Sequence, residues 1–392
     1  MKFHNPFKSV SIPNLIASTL ILVLICGIFV GLYLYSHGEE ADELPVSDYS
    51  EYEKGTVKEI LSDNCFVNEL AEGSYRGSQL LLVEVTSGQY KGQTLKISND
   101  IGPLYSERVS VGDSVVMVIN TYAEGKVTGT VYEYNRSTMV FVVIGLFILV
   151  TILVGGRTGA KSILGLILTI VVLLSIFLPL LFKGWQPIPT AFMICSLVSI
   201  ACFIILGGCT KKIFCACVGT VGGMAMAMLF GGLIQDMLHL NAYRAEYSEA
   251  LLQLRQTGTP VYISGLLVAG VIISSLGAVM DVAMSISSAQ SELKSVNPEM
   301  TTAQLWKSGM NIGRDMIGTM TNTLILAILG SGMVMILYLY SLDLSWYQLM
   351  SSSYIGIEVI SSVSSAIGVI LAVPLTNLVC AFTYAHRRKD IQ

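Results

Sequence analysis

Residues 261–326 read "VYISGLLVAGVIISSLGAVMDVAMSISSAQSELKSVNPEMTTAQLWKSGMNIGRDMIGTMTNTLIL". They hold one apolar run, 261–284, and the start of a second, 317–340, joined by a polar link. Both carry groups that hydrocarbon tolerates badly. Asp281 interrupts the first, and Asn311, Arg314, Asp315, Thr319, Thr321 and Asn322 crowd the approach to the second. An ionisable side chain in a span costs about 2.5–3.5 kcal/mol on insertion scales, so it marks a functional position by default.

Spacing sharpens the point. Neighbours on one face of a helix lie three or four residues apart. Ser274, Gly277, Asp281, Ser285 and Ser288 keep that step, as do Asn311, Asp315, Gly318 and Asn322. A third series, Glu358, Ser361, Ser365 and Gly368, lies in the last apolar run. Three helices thus each carry a small-and-polar stripe, and the stripes are expected to face one another. As packing seams they account for the glycines and most serines. As a functional polar interior they account for Asp281, Asp315 and Glu358 as well.

The rest of the composition sets the frame. The chain has 392 residues, 53% hydrophobic and 13% charged, which is the balance of an integral membrane protein. Eight runs reach spanning length: 15–35, 139–154, 162–182, 188–206, 214–233, 261–284, 317–340 and 355–382. The first follows Lys2 and Lys8 and no small-residue cleavage site comes after it, so it reads as a retained signal anchor with a cytoplasmic amino end. Cations test that topology. Arg157 and Lys161, Lys211 and Lys212, Lys294 and Lys307, and the tail Arg387, Arg388 and Lys389 all fall on the cytoplasmic side. Lys183, Arg244 and Arg255 fall outside, the last two in a loop that also carries Asp236, Glu246 and Glu249. Both termini are therefore expected in the cytoplasm, with the insert after the first span outside it.

Residues 36–137 carry 17 Asp+Glu against 8 Lys+Arg, an acidic balance that argues against nucleic acid as a partner. After an acidic tether come five alternating runs: "GTVKEIL", "SQLLLVEVTSG", "QTLKISND", "DSVVMVINTY" and "KVTGTVYEY". They predict a small antiparallel β-barrel, OB-like, over residues 37–136. It lacks an obvious aromatic stacking platform, so a compact cap or assembly domain is the expected role.

Elsewhere the reading is structural. Gly219, Gly222, Gly223, Gly231 and Gly232 in the fifth run predict close helix packing. The loop 235–260 predicts a surface helix, and Thr302, Trp306 and Met310 predict a short amphipathic helix on the inner surface. Pro374 frees a backbone carbonyl in the last run. Cys26, Cys195, Cys202 and Cys380 are small hydrophobes, Cys65 stands alone in the insert, and Cys209, Cys215 and Cys217 cluster without a His or carboxylate, so no metal site is expected.

The motifs "GRTGAKSILGLILTI" (156–170), "LGAVMDVAMSIS" (276–287), "NIGRDMIGTMTNTLILAILGS" (311–331) and "IGVILAVPLTN" (367–377) carry a resemblance to the YibE/F-like family of bacterial membrane proteins. The resemblance implies a multispanning protein of the plasma membrane and suggests a permease or efflux role. It assigns no residue a function, so the site rests on the stripes.

The expectation is an α-helical membrane bundle: an anchor helix (1–36), an extracytoplasmic β-domain (37–136) and seven transmembrane helices (137–392). The leading function is transport of a small solute or ion, coupled to a proton or sodium gradient, since no nucleotide-binding motif is present. Asp281, Asp315 and Glu358 are the binding or proton-coupling carboxylates. Arg314 is a counter-ion for Asp281 or Asp315, and Ser285, Ser288, Asn311, Thr319, Asn322 and Ser365 line the route. No enzyme activity and no cofactor are expected, because no recognised catalytic aspartate pair stands here. The alternative is a membrane scaffold or sensor whose outer domain binds an envelope partner. Expected partners are the bilayer, the solute, and a second copy or an envelope protein.

Overall fold

The structure, a computed structural model, describes residues 12–38, 50–69, 71, 73–102, 106–121, 127–244, 248–256 and 258–385. Lys2, Lys8, Glu246, Arg387, Arg388, Lys389 and most of the acidic tether lie outside these residues. The chain divides into two compact units, Glu40–Val154 on the one hand and Met1–Glu39 with Gly155–Gln392 on the other.

Strand runs read by alternation form β1 (Ser50–Asp63), β3 (Tyr75–Val85), β4 (Thr94–Ile101), β5 (Ser114–Thr121) and β6 (Val127–Tyr134), and a two-residue β2 (Phe66–Val67) is added at the edge of β3. The five long strands close in the order β1-β5-β6-β4-β3-β1, the strand order of an OB-type barrel. β1 pairs with both β5 and β3 because two register shifts, at Val57/Glu59 and Ile60/Ser62, bend this 14-residue strand across the corner. One pairing corrects the all-antiparallel expectation: β4 and β6 run parallel, Ile97 opposite Gly129. Directions cannot alternate around a ring with an odd number of strands, so closure forces a parallel pair. Leu81, Val83 and Val85 alternate inward from β3 and meet Val57, Ile97, Val115, Met117 and Ile119 in the core.

Two polar clamps hold the barrel's loops. Buried Glu53 accepts hydrogen bonds from Ser87 Oγ at 2.6 Å and Gln89 N–H at 3.0 Å. The turn passes so close that a β-carbon on Gly88, at φ +63°, would run into the Glu53 carboxylate. Across the barrel, buried Gln79 donates to Val109 O at 3.0 Å and accepts from Asn99 Nδ2 at 3.0 Å, fixing the segment after β4. Asp63 accepts from Arg108 at 2.9 Å, and Arg108 stacks over Tyr75.

In the other unit α1 covers Ile12–His37. α2 (Ser137–Val172) starts in the barrel unit and breaks at Gly156 (φ 55°, ψ −135°), where helix resumes at once. A π-helical turn (Leu173–Phe177) leads to α3 (Leu178–Phe182). Then follow α4 (Pro187–Gly207), α5 (Lys211–Met237), α6 (Ser248–Gln256), α7 (Leu266–Val296), α8 (Thr302–Ser331), α9 (Met333–Ser341), α10 (Trp346–Met350) and α11 (Ser353–Ala385). Among the described residues six helices are long and apolar enough to cross a membrane, seven if α8 and α9, bent by 59° at their junction, form one span. The second and third apolar runs share one interrupted helical stretch. α6 supplies the helix expected in the loop 235–260. The inner-surface helix expected at 302–310 is instead the start of α8. There Thr301 and Gln304 form a capping box, and Leu305 is fully buried.

The bundle is built on α5 and α11, with α7 packed against both. Gly219, Gly223, Ala227 and Gly231 repeat every four residues along α5, and Ser364, Gly368, Ala372 and Thr376 repeat every four along α11. A β-carbon on Gly223 would stand 2.8 Å from Ala372 Cβ and 2.7 Å from Val279 Cγ1, and one on Gly368 would stand 2.7 Å from Ala227 Cβ. The glycines are thus packing positions. Gly223→Leu or Gly368→Leu is expected to lower the bundle's stability by about 1–3 kcal/mol through overpacking. Gly270→Ala, where nothing lies within 4 Å, should leave it unchanged. Thermal unfolding in detergent measures both.

The barrel yields a pH prediction. Hydrogen bonds from Cys65 and from Arg108 hold the Asp63 carboxyl down at about 2, while burial and the Asp63 carboxylate push the Cys65 thiol up to about 11. Unfolded carboxylates titrate near 3.9. The stabilisation from Asp63 is therefore complete above that value and is lost as pH falls through about 2. Arg108→Gln should therefore cost the barrel most stability at pH 7, where Asp63 is fully ionised, and progressively less as pH falls toward 2, as read by urea unfolding at each pH. A loss that stays the same from pH 7 to pH 2 would remove Asp63 from the account.

Candidate functional site

Asp281 is the middle residue of the 31-residue α7. Arg314 and Asp315 are likewise mid-helix, because α8 begins at Thr302 rather than at the start of its apolar run. α7 and α8 form an antiparallel hairpin through the turn at 297–301, which sets Asp281 level with the Asp315–Asn322 stretch.

The two stripes are exposed. Ser274, Gly277, Asp281 and Ser285 lie on the open face of α7, with Ser288 half-buried. Asn311, Arg314, Asp315, Gly318, Thr319 and Asn322 lie on the open face of α8. A β-carbon added at Gly277 or Gly318 would meet nothing within 4 Å, so neither stripe is a seam inside this chain. Instead α8 packs through Leu305, Gly309 and Gly313, and α7 through Ile272, Leu276, Val279, Val282, Ala283 and Ile286. Thr319 turns its hydroxyl back onto Met316 O at 3.1 Å, and Thr323 onto Thr319 O at 2.9 Å. Among the described residues no ion pair joins Arg314 to Asp281 or Asp315. The four ion pairs found there all lie in the barrel unit.

The third stripe divides. Ser365 and Gly368 are buried, and Ser365 hydrogen-bonds across to Ser274 at 3.1 Å. Gly368 belongs to the α5 seam. Glu358 is exposed and lies beside the α8–α9 break, its Oε1 3.8 Å from where a β-carbon on Gly332 would stand. An interrupted helix with a carboxylate beside the break is the kind of element that coordinates ions in membrane carriers.

One polar cluster escaped the stripe reading. Gln290 and Asn377 are fully buried and hydrogen-bonded to each other. Gln290 Nε2 also donates to Leu305 O at 2.9 Å, and Asn377 Nδ2 donates to Trp306 O at 2.8 Å. They close over Gly309, where any β-carbon would strike both amides. The pair ties α7 and α11 to the first turn of α8, fixing the hairpin that carries both stripes. The available signals were weak: Asn377 closes the "AVPLTN" motif, and Gln290 falls on the apolar face of α7.

Apolar helices of spanning length with charged residues at mid-helix define a multi-pass membrane protein. The YibE/F-like protein family matches residues 143–386, more than half of the chain, and the chain belongs to that family. The match leaves α1 and the barrel strands outside it. Comparison with curated proteins and with solved structures gives no match.

The amide clamp predicts a coupling. In a double-mutant cycle of Gln290→Leu and Asn377→Leu, thermal unfolding should give a favourable interaction of about 0.6–2 kcal/mol. Additive losses would mean that the two amides act separately.

Proposed function

We propose that this protein carries a small solute or ion across the plasma membrane along the polar faces of α7 and α8, with Glu358 at the α8–α9 break. The observation that supports this is the level, open placement of Asp281 opposite Asp315, Thr319 and Asn322 on two neighbouring helices. Polar groups at that depth need water, a counter-charge or a passing ion rather than lipid. Asp281, Asp315 and Glu358 serve as binding or proton-coupling carboxylates, Arg314 as an anion contact, and Ser285, Ser288, Asn311 and Ser365 line the way. A proton or sodium gradient supplies the energy, and no covalent chemistry belongs to this reading. Arg157, Lys161, Lys211, Lys212, Lys294 and Lys307 support a cytoplasmic placement of their loops, with both termini inside and the barrel outside.

A second reading has its own support. The barrel carries a polar cavity of about 680 Å³ lined by Asp63, Tyr75, Ser106, Glu107, Arg108 and Glu133, which suits a scaffold or sensor that binds an envelope partner. Vesicles reconstituted with the parent or with Asp281→Asn separate the two. For a carrier, proton or sodium flux in the parent disappears in a variant that melts at the parent's temperature. For a scaffold, neither shows flux and the variant melts lower.

A further inference from the structure

We infer that the groove between α1, α4 and α5 is a binding site for an anionic phospholipid, whose acyl chain lies in the groove and whose headgroup meets Lys211 and Lys212. The groove exists because α1 is held away from α5. At one end Ser18 Oγ accepts the Cys209 N–H at 2.7 Å. At the other, Lys183 donates to Tyr35 O and lies 4.8 Å from the Tyr35 ring centroid, with Trp185 packed against the same ring. Between these pins Ile25 and Phe29 turn into the core. α1 packs on α4, α3 and the π-helical turn, and the flank of α5 bearing Phe214 and Val218 stays exposed.

What remains is a cavity of about 820 Å³, within the usual range for small-ligand sites. Its walls are mostly apolar, among them Ile21, Ile204, Ile213, Phe214 and Val218, and the Thr210 hydroxyl that also lines it already accepts the Ile213 N–H at 3.3 Å. An acyl chain needs no hydrogen bond. Charge gathers at one end only. Lys211 lines the cavity, Lys212 follows it, and Lys161 reaches Leu206 O at the same end of α4. Among the described residues none of these lysines is in an ion pair, and no Asp or Glu occurs from residue 134 to residue 235. An apolar slot between spans that ends in unpaired cations matches an anionic lipid, since such basic pockets attract negative headgroups.

The test uses the full protein in nanodiscs of phosphatidylcholine with a minority of phosphatidylglycerol, then counts retained lipids by native mass spectrometry after transfer to detergent. The parent should keep one phosphatidylglycerol in preference to phosphatidylcholine. Lys211→Gln with Lys212→Gln should weaken that preference by about fivefold per lysine while the melting temperature holds. Ile21→Trp, which fills the groove from α1, should abolish retention of both lipids. Equal retention of the two lipids by the parent, or undiminished phosphatidylglycerol on both variants, would overturn the assignment.

Discussion

Helices in a bilayer gain little by hiding apolar surface from one another, because lipid is as apolar as leucine; close packing must hold them together. Here the four-residue ladders of α5 and α11 provide it. Gly223 lets α5 approach both Ala372 of α11 and Val279 of α7, so one missing side chain sets the spacing of three helices. The same device recurs where α8 joins. Gly309 admits the amides of Gln290 and Asn377, and Gly313 comes against Val373 of α11. Every helix that carries a candidate site residue is therefore placed, directly or at one remove, by a glycine at a crossing.

Much of this was legible in the sequence, and the gaps have physical causes. Alternation located the five long strands, because a half-buried strand shows its two faces in a period of two. It gave no hint of the parallel pair of β4 and β6, which follows from closing an odd ring. Hydropathy located the apolar runs but not the ends of α7 and α8. Hydropathy marks where oil begins, whereas those helices end at the turn around Asn297 and the Thr301 cap. Asp281 and Arg314 were thus found by type, while their place within α7 and α8 came only from the fold.

The stripes show a subtler limit. Their spacing was plain, yet the expectation that they face one another assumed that polar residues in a span turn inward. In α7 the apolar residues Ile272, Val279, Val282 and Ile286 are buried together with Ser275, Ser287 and Gln290, while the stripe of Ser274, Gly277, Asp281 and Ser285 is open. In lipid an apolar residue fits either environment, so its pattern does not say which side is the core. Gln290 and Asn377 were missed for the converse reason: single amides near the ends of apolar runs look like solvated span ends, and only the fold brings them together.

An open polar face at mid-helix is not a resting arrangement for a lone chain in hydrocarbon. Asp281 alone carries a cost of about 2.5–3.5 kcal/mol if it faces lipid, comparable to what one overpacked crossing would forfeit. Sequence drift toward leucine at this position would relieve that cost without disturbing the seam, because Asp281 is exposed and the side-chain hydrogen bond from the stripe of α7 to α11 is made by Ser274, to Ser365. The bundle therefore gives Asp281, Asp315 and Asn322 no structural reason to be polar. Their reason lies in what the two faces meet, which is the premise of the carrier proposed above.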